Sequence, residues 1–264
     1  MTERLQVAWL TTGRGPGSFG ALEYTLRAIE EHELAAEIAV VFLNRARGEA
    51  DPSDRLIALA EAHGIAVETL SSVAFRKEKG GALSRPGEPL QPWRLDYDAA
   101  VASKLARYDF ELGVMFGYML IATEPLHTRF RFINDHPALP DGPIGTYQEV
   151  IRSLIASGAT ESGCMMNLVT GDVDRGPVLS FCRFGIKDDS NAALWAEVSG
   201  ATAAVAEIQE TPLFQDVRAR GVRRERPFLV ETLRAVAAGS LALPPPTPLD
   251  LTDTVESAIS HADF

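Results

Sequence analysis

A chain of 264 residues with 46% hydrophobic and 23% charged content can bury a sizeable core, either as one domain or as one domain with an appendage. Its net charge of -11 argues against a general nucleic-acid or anionic-membrane surface, because such partners need Lys and Arg to neutralise phosphates. Cys164 and Cys182 sit in apolar runs with neither metal-ligand spacing nor a disulfide framework, and the opening "MTERLQVAWL" lacks the basic start and long apolar stretch of a secretory signal. Buried free thiols and a cytoplasmic setting are the expectation, and no apolar run approaches the roughly 20 residues of a spanning helix.

In chain order, "LQVAWLTT" (5–12) is an apolar run that ends at glycines, and "ALEYTLRAIEEHEL" (21–34) repeats its apolar residues near helical spacing. Strand, glycine-rich turn and helix follow one another. "AEIAVVFLN" (36–44) is a buried strand, and "SDRLIALAEAHG" (53–64) a helix with Ser53 as N-cap and Gly64 as its stop. "IAVETL" (65–70), "DYDAAVASKLARY" (96–108) and "FELGVMFGYML" (110–120) continue the rhythm as strand, helix and strand. The segment 76–95, rich in charge, Gly and Pro, is expected to be a surface loop or lid.

After "RFIND" (131–135) the pattern changes: a helix at 146–158 leads to strands at 163–170 and 177–186, joined only by "GDVDRG" (171–176). So short a link forces a hairpin or tight corner, since a parallel crossover takes a dozen or more residues. Helices at 193–209 and 227–239 precede a polar tail, 243–264, with room for one short helix. The expected fold is α/β and Rossmann-like: a mostly parallel, twisted sheet with helices on both faces and an antiparallel or mixed C-terminal portion.

Two clusters carry chemistry. Gly15, Gly17 and Gly20 form G-x-G-x-x-G between a strand and a helix, where backbone amides can hold an anion. A dinucleotide site would also want a carboxylate ending the second strand, and Asn44 and Arg45 stand there instead. A plain tight turn, an anion site and a nicotinamide-cofactor site all stay open for this loop. The second cluster is "FINDHPALPDGP" (132–143), which sets Asn134, Asp135 and His136 at the carboxyl end of a strand, where open α/β sheets collect ligands. The turn "LVTGDVDRGPVL" (168–179) adds Asp172 and Asp174, whose bland reading is a pair of solvated turn residues.

Together the clusters resemble the folate-dependent formyltransferases. Asn134, His136 and Pro137 match that family's N-x-H-P signature, and Val169, Thr170, Asp174, Gly176 and Pro177 match V-T-x-x-x-D-x-G-P. "FGYML" (116–120) resembles the strand end that lines the folate pocket, "RLDYD" (94–98) the start of the preceding helix, and the spacing from Glu225 to Gly239 the C-terminal helix. The resemblance covers roughly residues 5–240. It implies a catalytic domain over 1–240 and a tail over 241–264, with 76–95 as a lid insertion.

The resemblance also implies the roles. Asn134 and His136 would donate to the tetrahedral oxyanion, and Asp174 would accept the proton of the attacking amine. Thr170, Gly171 and Asp172 would grip the pterin of 10-formyltetrahydrofolate, with Met119 and Leu120 packing nearby and Arg94 meeting an anionic part of a ligand. Gly15, Gly17 and Ser18 would hold a phosphorylated amine substrate, and Glu225 its ribose. Glycinamide ribonucleotide, and hence purine biosynthesis, is the default; an amino sugar or another amine stays open. The folate is a co-substrate, no metal is called for, no nucleic acid or membrane partner is expected, and a homodimer follows from family habit. Asp135 departs from the usual aliphatic residue and Phe19 from the usual loop. A 10-formyltetrahydrofolate hydrolase, a nicotinamide-dependent oxidoreductase and a non-catalytic folate-binding relative are the alternatives. The hydrolase is disfavoured by a first strand that begins at about residue 5, which leaves no room for a regulatory domain ahead of it.

Overall fold

The computed structural model describes residues 4–84, 88–200 and 211–261. Parts of the expected 76–95 loop and 193–209 helix therefore lie outside the described residues. The chain divides into two compact units, one running to Asn134 and including Leu168–Gly176, the other holding Asp135–Asn167 and the chain from Pro177 onward.

In the first unit β1 (Leu5–Thr11) pairs in parallel with β2 (Ala36–Leu43) and with β4 (Leu112–Met115), while β3 (Ala66–Thr69) pairs with β2 and β5 (Phe132–His136) with β4. The near-continuous apolar runs of β1, β2 and β4 are what strands flanked on both sides and buried on both faces require. Helix α1 (Pro16–Glu30) starts earlier than its apolar period suggests, because Pro16, with no N–H to lose, opens it at the first position. Helix α2 (Asp51–Ala62) likewise begins ahead of Ser53, with Asp51 and Asp54 at its positive end. Ser53 is a buried helix residue whose hydroxyl donates to Thr12 O at 3.2 Å, not the cap it resembles in sequence. Gly64, at φ 71°, ends α2 as expected.

Two short helices, α3 (Ser72–Glu78) and α5 (Glu124–His127), fall where the sequence offers too few turns to show a period. Helix α4 spans Trp93–Leu105, and β4 stops at Met115 because Gly117 turns the backbone to φ 65°. The described part of the 76–95 segment is tied down: Trp93 Nε1 donates to Ala82 O at 2.9 Å and Arg76 to Gly81 O at 3.1 Å. The core of this unit joins Leu10, Phe42, Tyr97, Leu105, Met115 and Phe132.

In the second unit α6 (Tyr147–Ser157) opens with a complete capping box between Thr146 and Glu149 and closes at Gly158. Antiparallel β6 (Glu161–Leu168) and β7 (Val178–Gly185) set Cys164 opposite Cys182. Helix α7 (Ala192–Gly200) is followed by α8 (Pro212–Ala237), a single long helix. Pro227 lies inside α8, although it reads as a first helical residue: it removes one hydrogen bond without ending a helix already anchored by Phe228, Leu229 and Leu233. The expected polar tail is also built in. Two of its residues form β8 (Leu249–Asp250), parallel to β7, and Val255 and Ile259 of α9 (Thr252–His261) are buried.

The eight strands enter one sheet in the order β3-β2-β1-β4-β5-β6-β7-β8; the pairs among β1 to β5 and the β7–β8 pair are parallel, and β6 runs antiparallel to β7. The fold is α/β and Rossmann-like. No helix among the described residues is long and apolar enough to cross a membrane.

Candidate active site

Residues on a strand alternate between its faces, so Asn134 and His136 share one face of β5 and Asp135 takes the other. In the first unit the half-buried Asn134 donates from Nδ2 to Asp174 Oδ1 at 3.2 Å. Asp174 reaches it through a specific turn. Val169 N bonds Phe132 O at 2.9 Å, Thr170 Oγ1 accepts from Asp172 N at 3.3 Å, and Arg175 N bonds Asp172 O at 3.2 Å. Gly176 is dictated by crowding, since a Cβ there would lie 1.8 Å from Leu168 O. Asp174 itself sits at φ 53°, a left-handed conformation that Asp tolerates better than most residues and that costs about 1 kcal/mol or more. Such strain at a carboxylate facing an amide is the kind that functional sites retain. Gly171 and Asp172 are exposed and Thr170 half-buried.

Residues 117–123, just past β4, form a braced rim. Thr12 N bonds Gly117 O at 3.0 Å and Thr12 Oγ1 accepts from Met119 N at 3.0 Å. Met119 is 60% exposed, whereas Leu120 packs partly into the core of the unit. Arg94, expected at a ligand, is buried: its Nη2 donates to Ile121 O at 2.7 Å and lies 3.6 Å from Asp98 Oδ1. Asp98 in turn accepts from Thr123 N at 2.6 Å and Thr123 Oγ1 at 2.7 Å. Burial pushes the Asp98 carboxyl above its ordinary range, against the bonds from Thr123 and the Arg94 charge. Arg94 is thus placed to position the rim, a role that the spacing "RLDYD" hinted at through its i, i+4 Arg–Asp pair.

The glycine loop opens α1. Gly15 is its extended N-cap residue, no side chain caps the helix, and its first turn carries no acid. Nothing lies within 4 Å of a Cβ built on Gly15 or Gly17, so the loop leaves open space above the helix start. Ser18 turns inward, its Oγ only 2.4 Å from where a Cβ on Gly117 would be. Uncapped amides at a positive helix end suit an anion. Asn44, at the end of β2, is buried and supplies no carboxylate, so the nicotinamide-cofactor reading still lacks its second contact.

In the second unit His136 is 2% exposed and its Nε2–H donates to Pro143 O at 3.0 Å, a bond that orients the ring. Glu225 of α8, also buried, accepts from Arg218 Nη1, whose guanidinium lies 4.5 Å above the Tyr147 ring. Asp135 keeps some surface, but its Oδ1 is sealed from solvent and has no hydrogen-bond partner among the described residues. Burial, followed by the Glu225 and Cys182 charges and opposed by Arg218, pushes its carboxyl well above the usual range. Cys164 and Cys182 are free thiols; a hydrogen bond to Cys182 and burial push the Cys164 thiol up. Among the described residues no group of His, Cys, Asp or Glu is placed to hold a metal ion.

The Asp135 environment has a measurable consequence. A carboxyl raised above its unfolded value, about 3.9, holds more protons in the native than in the unfolded chain between the two values, so stability falls as pH rises through that window. Asp135→Asn does not titrate. Its melting temperature relative to the parent is expected to climb from pH 4 to pH 8; a difference that stays constant would mean that Asp135 is ionised in the fold.

A strained aspartate faces a strand-end asparagine, and an amide donor beside a carboxylate is an arrangement that can polarise a carbonyl and accept a proton. A family model described as formyl transferase matches residues 7–199, and the chain belongs to that family. The protein is therefore an enzyme of formyl transfer. No curated protein matches it. Among solved structures, glycinamide ribonucleotide transformylase 1 from Symbiobacterium toebii shares the fold with a TM-score of 0.64 and 23% identity, over 90% of each chain. The phosphoribosylglycinamide formyltransferase of Coxiella burnetii follows at 0.61 and 22%, over 90% of this chain and 89% of that one. A formyltetrahydrofolate deformylase from Burkholderia mallei matches at 0.60 and 18%, over 89% of this chain but 66% of its own.

Proposed function

We propose that the enzyme moves the formyl group of 10-formyltetrahydrofolate to the amine of a phosphorylated small molecule, with glycinamide ribonucleotide as the first acceptor to test. The observation that carries this reading is the Asn134–Asp174 pair at 3.2 Å. The amine nitrogen attacks the formyl carbon and the carbonyl electrons move to oxygen. The Asn134 amide and the His136 ring stabilise that oxyanion, and Asp174 takes the proton from the attacking nitrogen, directly or through a water. Collapse of the intermediate re-forms the carbonyl and releases the folate nitrogen, which takes up a proton. Thr170, Gly171 and Asp172 hold the pterin against Met119 and Leu120; Gly15, Gly17, Ser18 and Glu225 serve the acceptor. On this reading the enzyme works in the cytoplasm, in purine biosynthesis, with residues 1–240 as the catalytic region and a homodimer as its assembly.

The likeness to the B. mallei deformylase supports one competing reading, with water as acceptor. A single assay separates the two. Tetrahydrofolate release is expected to require glycinamide ribonucleotide and to disappear in His136→Ala. Release without amine would make the protein a hydrolase, and no release under either condition would rule out glycinamide ribonucleotide and turn the search to other amine acceptors, with folate binding as its first step.

A further inference from the structure

From the end of β5 to the cap of α6 the chain reads "HPALPDGPIGT" (136–146), with prolines at 137, 140 and 143. Fixed φ angles at that spacing leave the segment few conformations. It is folded as two tight turns. Ala138 N donates to His136 O at 2.9 Å around Pro137, and Gly142 N donates to Leu139 O at 2.8 Å, with Pro140 and Gly142 at the second and fourth positions that such a turn favours. Gly142 is required there, since a Cβ on it would lie 2.9 Å from Leu139 O. The far end is tied to α6, where Glu149 Oε2 accepts from Thr146 N at 2.7 Å and from Thr146 Oγ1 at 2.9 Å.

The middle of the segment is held by Leu139. A Cβ built on Gly163 of β6 would stand 2.5 Å from Leu139 Cδ2 and 2.9 Å from its Cγ, so the leucine lies on the strand where a side chain is missing. Four residues further on, Pro143 O meets His136 Nε2 at 3.0 Å. A carbonyl only accepts, so that nitrogen carries the proton. The histidine is therefore held by a carbonyl of the same segment that Leu139 anchors.

We propose that Leu139 is a positioning residue for His136: seated on Gly163, it holds Pro143 O against Nε2 and so fixes the tautomer and the orientation of the ring. Its effect on turnover rests on the formyl-transfer reading above; its effect on the ring does not. A group that stabilises an oxyanion must be in place before the charge develops, and a ring free to turn gives up part of that preorganisation. Leu139 acts through the loop and not on the substrate.

The test uses the full chain with its histidines labelled with nitrogen-15, and reads ring tautomers by NMR at about pH 9, where an ordinary imidazole is neutral. The signals of His136 are those lost in His136→Gln. Wild type is expected to show one tautomer, protonated at Nε2, Leu139→Ala a mixture of the two, and Leu139→Met, close to leucine in volume, one again. Leu139 is only half-buried, so the alanine variant should fold; Leu139→Val, which reaches less far, decides the matter if it does not. In the formyl-transfer assay Leu139→Ala is expected to lose about tenfold or more in kcat with the folate KM changed by less than about threefold, and Leu139→Met to recover most of the loss. A single Nε2-protonated tautomer in Leu139→Ala or Leu139→Val, or a loss of kcat that Leu139→Met does not recover, overturns the role. Absence of transfer with any amine would sink the formyl-transfer reading and leave the tautomer to decide what Leu139 does to the ring.

Discussion

Asn134→Ala is expected to lower kcat by about 10²–10³-fold, with little change in the KM for the folate, because it removes a donor to charge that exists only in the transition state. Asp174→Asn is expected to cost about 10²–10⁴-fold, the range for a lost proton acceptor. The second substitution is the more informative, since Asn tolerates the left-handed backbone at φ 53° as well as Asp does and so keeps the turn. The Asn134 contact at 3.2 Å can also persist, with the new side chain's oxygen as acceptor. Only the basicity is lost. Tetrahydrofolate release in the steady state reads both variants, and a kcat within threefold of the parent for Asp174→Asn would take proton transfer away from this residue. If Asp174 serves instead to hold Asn134, Asp174→Asn should be nearly silent and Asp174→Gly strongly impaired.

The parts of this protein that depend on local periodicity are legible in its sequence. β1, β2 and α6 show their buried faces in the spacing of their apolar residues, and Gly64 and Gly158 mark helix ends by the left-handed conformation they supply. Asn134, His136 and Asp174 are candidates for a different reason: alone each has an ordinary structural reading, and only the two motifs taken together, as a family resemblance, single them out. What is hidden depends on three-dimensional partners. Pro227 looks like a helix start because the charged residues before it, on α8, show little apolar face. Ser53 looks like a cap until Thr12 O takes its hydroxyl, and the strand at Leu249–Asp250 is too short to have a period. Arg218 and Glu225 are separated by two turns of helix, and nothing in their spelling distinguishes them from the arginines that pair with Asp188 or Glu256.

Arg94→Ala is expected to destabilise the protein by about 3–5 kcal/mol, the cost of leaving one member of a buried ion pair without the other. Asp98, fully buried, would keep only its two bonds from Thr123, and its carboxyl, already raised by burial, would take a proton. Ile121 O would lose its donor, and residues 117–123 would be held by Thr12 at one end and by the Thr123–Asp98 bonds at the other. A lysine cannot reach both Ile121 O and Asp98 with a planar fork, so Arg94→Lys should recover part of the stability but not all. Asp98→Asn added to Arg94→Ala should also recover part, because the uncompensated charge is gone. Thermal melts of the four proteins measure this coupling, and folate KM measures its consequence for the rim that carries Met119 and Leu120. A guanidinium that reached a ligand would give the opposite pattern, with a large rise in KM, an unchanged melting temperature and no rescue by Asp98→Asn. The bond at 2.7 Å to Ile121 O and the contact at 3.6 Å to Asp98 predict the first pattern.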